Sequence, residues 1–160
     1  MEMMEASELH IPDLFRLWTE FFDYHRDIDP YYSRTEDAQQ HIEKRFREKI
    51  TSDDSGVLVA VEDGKAIGYS LFWLAEGSPF VKQRQYGFIC DLAVTSAHRG
   101  RGIGDGLLEK TLAWFMAKGI RRIAIYTLVG NDGAVRFWEQ HGFRAMMQCM
   151  ERVLDIREAP

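Results

Sequence analysis

Arg99-Gly100-Arg101-Gly102-Ile103-Gly104-Asp105-Gly106 separates an apolar run, residues 86–94, from a stretch of helical periodicity, residues 103–118. Glycine takes left-handed backbone conformations without steric cost and lets a ligand approach the chain closely. A helix that starts just after such a turn offers amides without an intrahelical partner and a partial positive charge. Strand, glycine turn and helix start in that order make a pyrophosphate site, with Arg99 and Arg101 adding charge. Two other phosphate loops are excluded. The Gly-Lys-Ser/Thr of a Walker loop is absent from the turn. The dinucleotide pattern G-x-G-x-x-G ends on Asp105 when counted from Gly100, and on Leu107 when counted from Gly102. Taken alone, the turn also reads as a plain bend with incidental arginines.

Upstream of the turn, Tyr86 to Val94 reads as a strand interrupted by Asp91. Val57 to Val61 and Ile67 to Ala75 are two more strands, joined by the hairpin signal Asp63-Gly64. Residues 77–85 are a loop, and Met1 to Ala6 is a short first strand. Pro12 suits a helix start, and Leu14, Leu17, Trp18, Phe21 and Phe22 recur at helical spacing to about Arg26, before Asp29-Pro30 breaks the pattern. A second helix is expected from Thr35 to Ile50, with Glu36 and Asp37 in its first turn and Arg47 and Lys49 in its last. Downstream, the helix from Ile103 to Lys118 carries the apolar stripe Ile103, Leu107, Leu108, Leu112, Phe115 and Met116, and Gly119 closes it. Ile123 to Leu128 is the next strand. Ala134 to His141 is a short helix capped by Asn131 or Asp132, and Arg144 to Leu154 is a final strand. The order β-α-α-β-β-β-α-β-α-β predicts an α/β fold with a mixed sheet.

A chain of 160 residues fits one domain, here taken as residues 1–160. Its 46% hydrophobic and 28% charged residues exclude intrinsic disorder. No apolar run approaches the ~18–20 residues of a membrane span. The start, Met1-Glu2-Met3-Met4-Glu5, is acidic where a signal peptide would be basic. Cys90 and Cys149 are too few for a disulfide framework and lack metal-ligand spacing, so no metal is expected. A reducing, cytoplasmic location is the expectation. Residues 1–55 hold 14 acids and 7 bases, whereas residues 98–122 hold six bases against Asp105 and Glu109. That local basic stretch points to a small anionic ligand; no nucleic-acid or membrane partner is expected. The acidic half could attract cations, and both stretches read equally as solvated faces.

A second motif lies further on: Asn131-x-x-Ala134-x-x-Phe137-Trp138-x-x-x-Gly142-Phe143. With it the chain resembles the GNAT (Gcn5-related) family of N-acetyltransferases. The family's acetyl-CoA signature, Arg/Gln-x-x-Gly-x-Gly/Ala, is matched by Arg99, Gly102 and Gly104. Its second signature, N-x-x-A-x-x-F-Y-x-x-x-G-F, is matched at every fixed position except the tyrosine. Asp91-Leu92-Ala93-Val94 resembles the family's central strand, and the strong similarity runs from about Tyr86 to Phe143.

The resemblance implies a mostly antiparallel sheet with a splayed parallel pair, flanked by helices. It implies acetyl-CoA as cosubstrate, with the pyrophosphate on the amides of Arg99, Gly100, Arg101, Gly102, Ile103 and Gly104. The pantetheine arm would lie along Leu92, Ala93 and Val94, so the strands holding Val94 and Ile123 should splay. Asn131 would bond the arm, Ala134 would let the short helix approach, and Phe137 and Trp138 would pack nearby; Phe143 reads as core. The implied activity is acetyl transfer to a primary amine, and family habit plus the apolar final segment imply a homodimer.

Such a transfer needs a neutral amine, and an amine of pKa ≈10.4 is neutral in about one molecule in 2500 at pH 7, a deficit of roughly 4.6 kcal/mol. A base, a water chain or desolvation must supply it. The usual residues are missing. Trp138 stands where many members carry a tyrosine acid, and its indole does not titrate. Cys90 stands where some carry a glutamate base, and reads as a small buried residue. Asp91 and Tyr126 are the catalytic candidates, Asp91 reading equally as a structural acceptor. Tyr24 and His25 are further titratable groups, and Tyr31 and Tyr32 either line the acceptor entrance or pack under a loop. An acyl-CoA-binding or sensing module is the competing reading, and a nucleotide-binding module a third.

Overall fold

Asp63 and Gly64 take φ of 50° and 74°, the left-handed pair of a two-residue hairpin turn. The turn joins β2 (Ser55–Glu62) to β3 (Lys65–Glu76) in a computed structural model that describes residues 1–154. β1 (Glu2–Glu5) pairs with β2, and β4 (Gln85–Val94) with β3, all antiparallel. β5 (Ile123–Ile125) lies parallel to β4, completing the order β1-β2-β3-β4-β5. The helices are α1 (Ile11–Ile28), α2 (Ala38–Ile50), α3 (Ile103–Ala117) and α4 (Asp132–Gln140). The chain divides into a first unit, Met1–Leu128, with the whole sheet and α1 to α3, and a second that begins at Val129 and contains α4. A mixed sheet with one parallel pair and flanking helices is the fold class expected.

Side chains alternate along β3. Tyr69 and Leu71 join Val57 and Val59 of β2 in a core with Leu14, Leu17 and Trp18 of α1 and Ile42 and Phe46 of α2. Each such leucine stabilises the fold by about 1.5–3 kcal/mol relative to exposure. Phe72 turns to the opposite face, where its ring centroid lies 5.1 Å from Trp114 and 5.5 Å from Phe115 of α3. Thr111 of α3 donates to Ser70 Oγ at 2.9 Å on that same face. With helices on both sides, β2 and β3 bury both faces and read as nearly continuous apolar runs.

Four expectations are corrected. Arg144–Leu154 forms no strand; it joins no ladder among the described residues, and Met146, Met147, Met150, Val153 and Leu154 are exposed. An apolar run becomes a strand only where a neighbour satisfies its backbone groups. β5 ends at Ile125, short of Leu128. α2 starts at Ala38, so Glu36 and Asp37 precede it; the Asp37 carboxylate bonds locally, to His41 Nε2 at 2.9 Å, the competition that keeps Asp out of helix interiors. Met116 is exposed and Thr111 is buried in its place. Met116 lies about 140° around the helix from Thr111, outside the stripe.

Candidate functional site

β4 pairs with β3 along its length, but with β5 only through Gly87, Phe88 and Ile89. Its register against β3 slips between Ile89 and Asp91, leaving Cys90 as the extra residue of a bulge. From Cys90 to Val94 no described ladder covers the β5 side of β4. Thr95 N–H donates to the Ile67 carbonyl of β3 at 2.9 Å. Backbone groups of successive strand residues point to opposite sides. Ala93 therefore faces β3 as Thr95 does, while Leu92 and Val94 face the open side. There the Val94 carbonyl accepts from Arg99 Nε at 3.0 Å. An extended chain can add to such an edge as a further strand.

The open edge leads into the glycine turn. Gly102 is the N-cap of α3 with φ 75°, a conformation other residues adopt only with strain. The first helical bond runs from Gly106 N–H to the Gly102 carbonyl at 3.1 Å. The amides of Ile103 and Gly104 come ahead of that ladder, at the positive end of the helix. Gly106 serves packing instead, since a Cβ there would meet Met3 Cε at 2.6 Å.

The two arginines are held by carboxylates that sequence reasoning missed. Arg101 donates twice to Glu62, at 3.0 and 2.7 Å, and His98 Nε2 lies 3.3 Å from the same carboxylate. These contacts, Arg101 foremost, hold Glu62 below its ordinary pKa. Arg99 pairs with Glu20 at 3.8 Å and stands over the Tyr24 ring, 5.6 Å from its centroid. Glu20 also accepts from Thr95 Oγ1 at 2.7 Å and Ser96 N–H at 2.6 Å. Burial pulls its pKa up, but these hydrogen bonds outweigh it and the net direction is down. The positive charge expected of Arg99 and Arg101 is thus largely balanced, and the helix start is the main source of positive potential. Glu20 belongs to α1, 75 residues from Thr95, and Glu62 to the β2 end, 39 residues from Arg101, and no local pattern marks either.

The proton-transfer candidates are spread over α1 and the segment after it, β4, and the residue that follows β5. Asp91 is buried and accepts from Tyr69 OH at 3.1 Å. Burial raises the pKa of Asp91 and pushes that of Tyr69 well up. Burial, then the nearby Asp91 carboxyl, pushes the Cys90 thiol far above the usual thiol range. Tyr126 is 78% exposed, its ring 5.1 Å from Phe88. His25 Nδ1 lies 2.7 Å from the Phe21 carbonyl, and Tyr32 packs on His25 and Phe22, both at 5.8 Å. Tyr31 is exposed. A cavity of about 240 Å³ lies away from all of these, lined by Ile50, Ser55, Phe72, Trp114 and Lys118 among others.

In the second unit, the Asn131 side chain accepts from Ala134 N–H at 3.1 Å and so caps α4. Phe137 and Trp138 meet edge to face at 5.1 Å, and Trp138 meets Phe143 at 5.0 Å. Gly142, with φ 81°, ends the helix: its N–H bonds the Glu139 carbonyl and Phe143 N–H the Trp138 carbonyl, each at 3.0 Å. The Gly-Phe of the second motif is thus a helix terminus with its apolar clasp.

Known proteins agree with this architecture. The acetyltransferase (GNAT) family model matches residues 11–143. An uncharacterized N-acetyltransferase of Archaeoglobus fulgidus is 27% identical over 148 residues, 90% of this chain and 93% of that protein. The uncharacterized N-acetyltransferase MJ1207 of Methanocaldococcus jannaschii is 26% identical over 126 residues, 77% of this chain; the chain spans about half of that relative's length, 53%. A solved tetramutant of the BH1408 protein of Bacillus halodurans superposes with a TM-score of 0.87 at 28% identity, covering 96% of this chain and 100% of that one. With both motifs inside the matched region, this chain belongs to the GNAT family of acetyltransferases.

Proposed function

We propose that the chain transfers an acetyl group from acetyl-CoA to a primary amine. One observation carries the reading: the open half of β4, with Leu92 and Val94 facing outward, runs directly into the helix start at Gly102 and Gly104. A strand edge suits an amide-bearing arm, and a helix start suits the phosphates at its end. In this reading the amides of Arg99 to Gly104 hold the pyrophosphate, Leu92, Ala93 and Val94 hold the arm, and Asn131, Ala134, Phe137 and Trp138 keep the roles the family resemblance gives them.

The chain's own contribution is mostly positioning. The Leu92 and Val94 amides on the open side are the donors for the thioester oxygen as negative charge develops on it. Burial favours the neutral thiol of Cys90, which argues against a Cys90 acyl intermediate and for direct passage of the acyl group to the amine. The thiol leaving group has a pKa near 8.5 and needs little acid assistance, which fits Trp138 at the tyrosine position. The acyl-CoA-binding module remains the second reading, favoured by Trp138, Cys90 and the buried Asp91. Calorimetry with coenzyme A and thiol release across an amine panel separate the two. Release with any amine supports the transferase; tight binding with no release from any amine favours the binding module. A cytoplasmic location and a homodimer belong to the same proposal, and a monomer mass by light scattering at micromolar concentration would overturn the dimer.

A further inference from the structure

Part of the α1/α2 face of β4 is half-exposed. Phe88, Cys90 and Ala93 are half-buried there, whereas Gly87 and Ile89, which point toward α3, are buried. Beside Phe88 stands Trp73 of β3, with ring centroids 5.2 Å apart, and beyond Phe88 stands Tyr126 at 5.1 Å. This aromatic strip borders Cys90, at the point where β5 pairing ends. Two cations of α2 stand over it: Lys49 Nζ is 4.4 Å and Arg45 Cζ 5.7 Å from the Trp73 ring centroid. Both are close enough to act on the Cys90 thiol.

Their lack of counter-ions sets them apart. Of the five arginines between residues 11 and 50, Arg16, Arg26, Arg34 and Arg47 each have a carboxylate within 4 Å. Among the described residues, Arg45 and Lys49 have none. They sit four apart on one helix, where like charges repel. Four acids of α1 and α2 are engaged elsewhere: Asp13, Asp23 and Glu43 with arginines of α1, α2 and the segment between them, Glu20 at the glycine turn. The carboxyl nearest the strip, Asp91, is buried and bonded by Tyr69. Arg45 acts on that buried carboxyl from beyond ion-pair distance, and a polycation would meet two positive charges without an ion-pair partner and no open carboxylate on this strip.

We infer that the acceptor is an amine that also carries an anionic group, a carboxylate or a phosphate, held by Arg45 and Lys49, with its apolar body on Trp73, Phe88 and Tyr126. The inference rests on the acetyl-transfer reading. A planar guanidinium and an ammonium side by side suit one carboxylate or phosphate, and the indole beneath attracts both cations.

The test uses two pairs of amines that differ in the anion: L-phenylalanine against 2-phenylethylamine, and O-phosphoethanolamine against ethanolamine. Thiol release gives kcat/KM for each. Calorimetry of N-acetyl-L-phenylalanine and N-acetyl-2-phenylethylamine on the coenzyme A-loaded protein gives binding without catalysis. The anionic member of one pair should be favoured by about tenfold or more, as expected for charge-assisted hydrogen bonds, and the pair concerned tells carboxylate from phosphate. In R45Q/K49Q that ratio should fall to about one, and in R45E/K49E it should invert, with coenzyme A affinity as the check on folding. Equal kcat/KM within both pairs, a preference for spermidine, or a preference that survives in R45Q/K49Q overturns the inference while leaving acetyl transfer standing. Anion-dependent product binding that R45Q/K49Q abolishes, with no thiol release from any amine, does the reverse.

Discussion

Gly104 is the position where binding and folding can be pulled apart. It is the second residue of α3 and does not have a positive φ, so a side chain there loads no backbone strain. Gly102, with φ 75°, offers no such separation, since any replacement strains the turn itself. In Gly104→Glu the helix loses a glycine, worth up to about 1 kcal/mol, and gains a first-turn carboxylate, worth about 0.3–1 kcal/mol. The variant should melt at the same temperature as the parent or roughly 2–4 °C higher. The same carboxylate would stand among the amides assigned to the pyrophosphate. Two unit charges about 5 Å apart repel by about 0.8 kcal/mol in water and about 3.3 kcal/mol at an effective dielectric constant of 20. With two charges on the pyrophosphate the lower bound is roughly 1.7 kcal/mol, more than tenfold in affinity. Calorimetry with coenzyme A at two ionic strengths, beside thermal melts of the free protein, reads both effects. The affinity loss should shrink at high salt. A variant that folds as predicted and binds coenzyme A within twofold of the parent refutes the site.

Asp91→Asn separates a structural acceptor from a base. Burial raises the Asp91 pKa, so the fold favours its protonated form; the linked stability is full below the ordinary aspartate value and is lost as pH rises through the folded one. The asparagine variant should therefore gain stability relative to the parent across that rise, read by melts at stepped pH, and a kcat loss of ~10² or more would make Asp91 the base instead. Glu20→Ala removes the acceptor of Thr95 and Ser96; it should cost about 1.5–3 kcal/mol in denaturant titrations. Because the Glu20 pKa is lowered, its contribution is present above the ordinary glutamate value and fades as pH falls below it, so parent and variant should converge in acid. Trp138→Tyr should shift acceptor preference or coenzyme A affinity modestly; a kcat gain of ~10²–10⁴ with a new basic limb in the pH profile would show that the step lacks an acid in the natural protein.

Local patterns determined by the sequence alone were those whose physics is local. The Asp63-Gly64 turn, the strands on either side of it, the start of α1 at Pro12 and the Gly102 turn all depend on backbone preferences and periodicities that lie within a few residues. The two motifs likewise named the family, because their glycines and caps act on neighbouring amides. Tertiary structure decided what depends on a partner far along the chain. Arg144–Leu154 has the apolar pattern of a strand, but forms none without a ladder partner among the described residues. Glu20 and Glu62 look like ordinary surface acids until folding brings them to the turn, where they take up the charge of Arg99 and Arg101. Arg45 and Lys49 show the converse. On α2 they resemble Lys44 and Arg47, and only the packing of that helix over Trp73 leaves them without counter-ions beside the open strand. A charge is written in the sequence, but its compensation is a distance, and distances between remote residues exist only once the chain has folded.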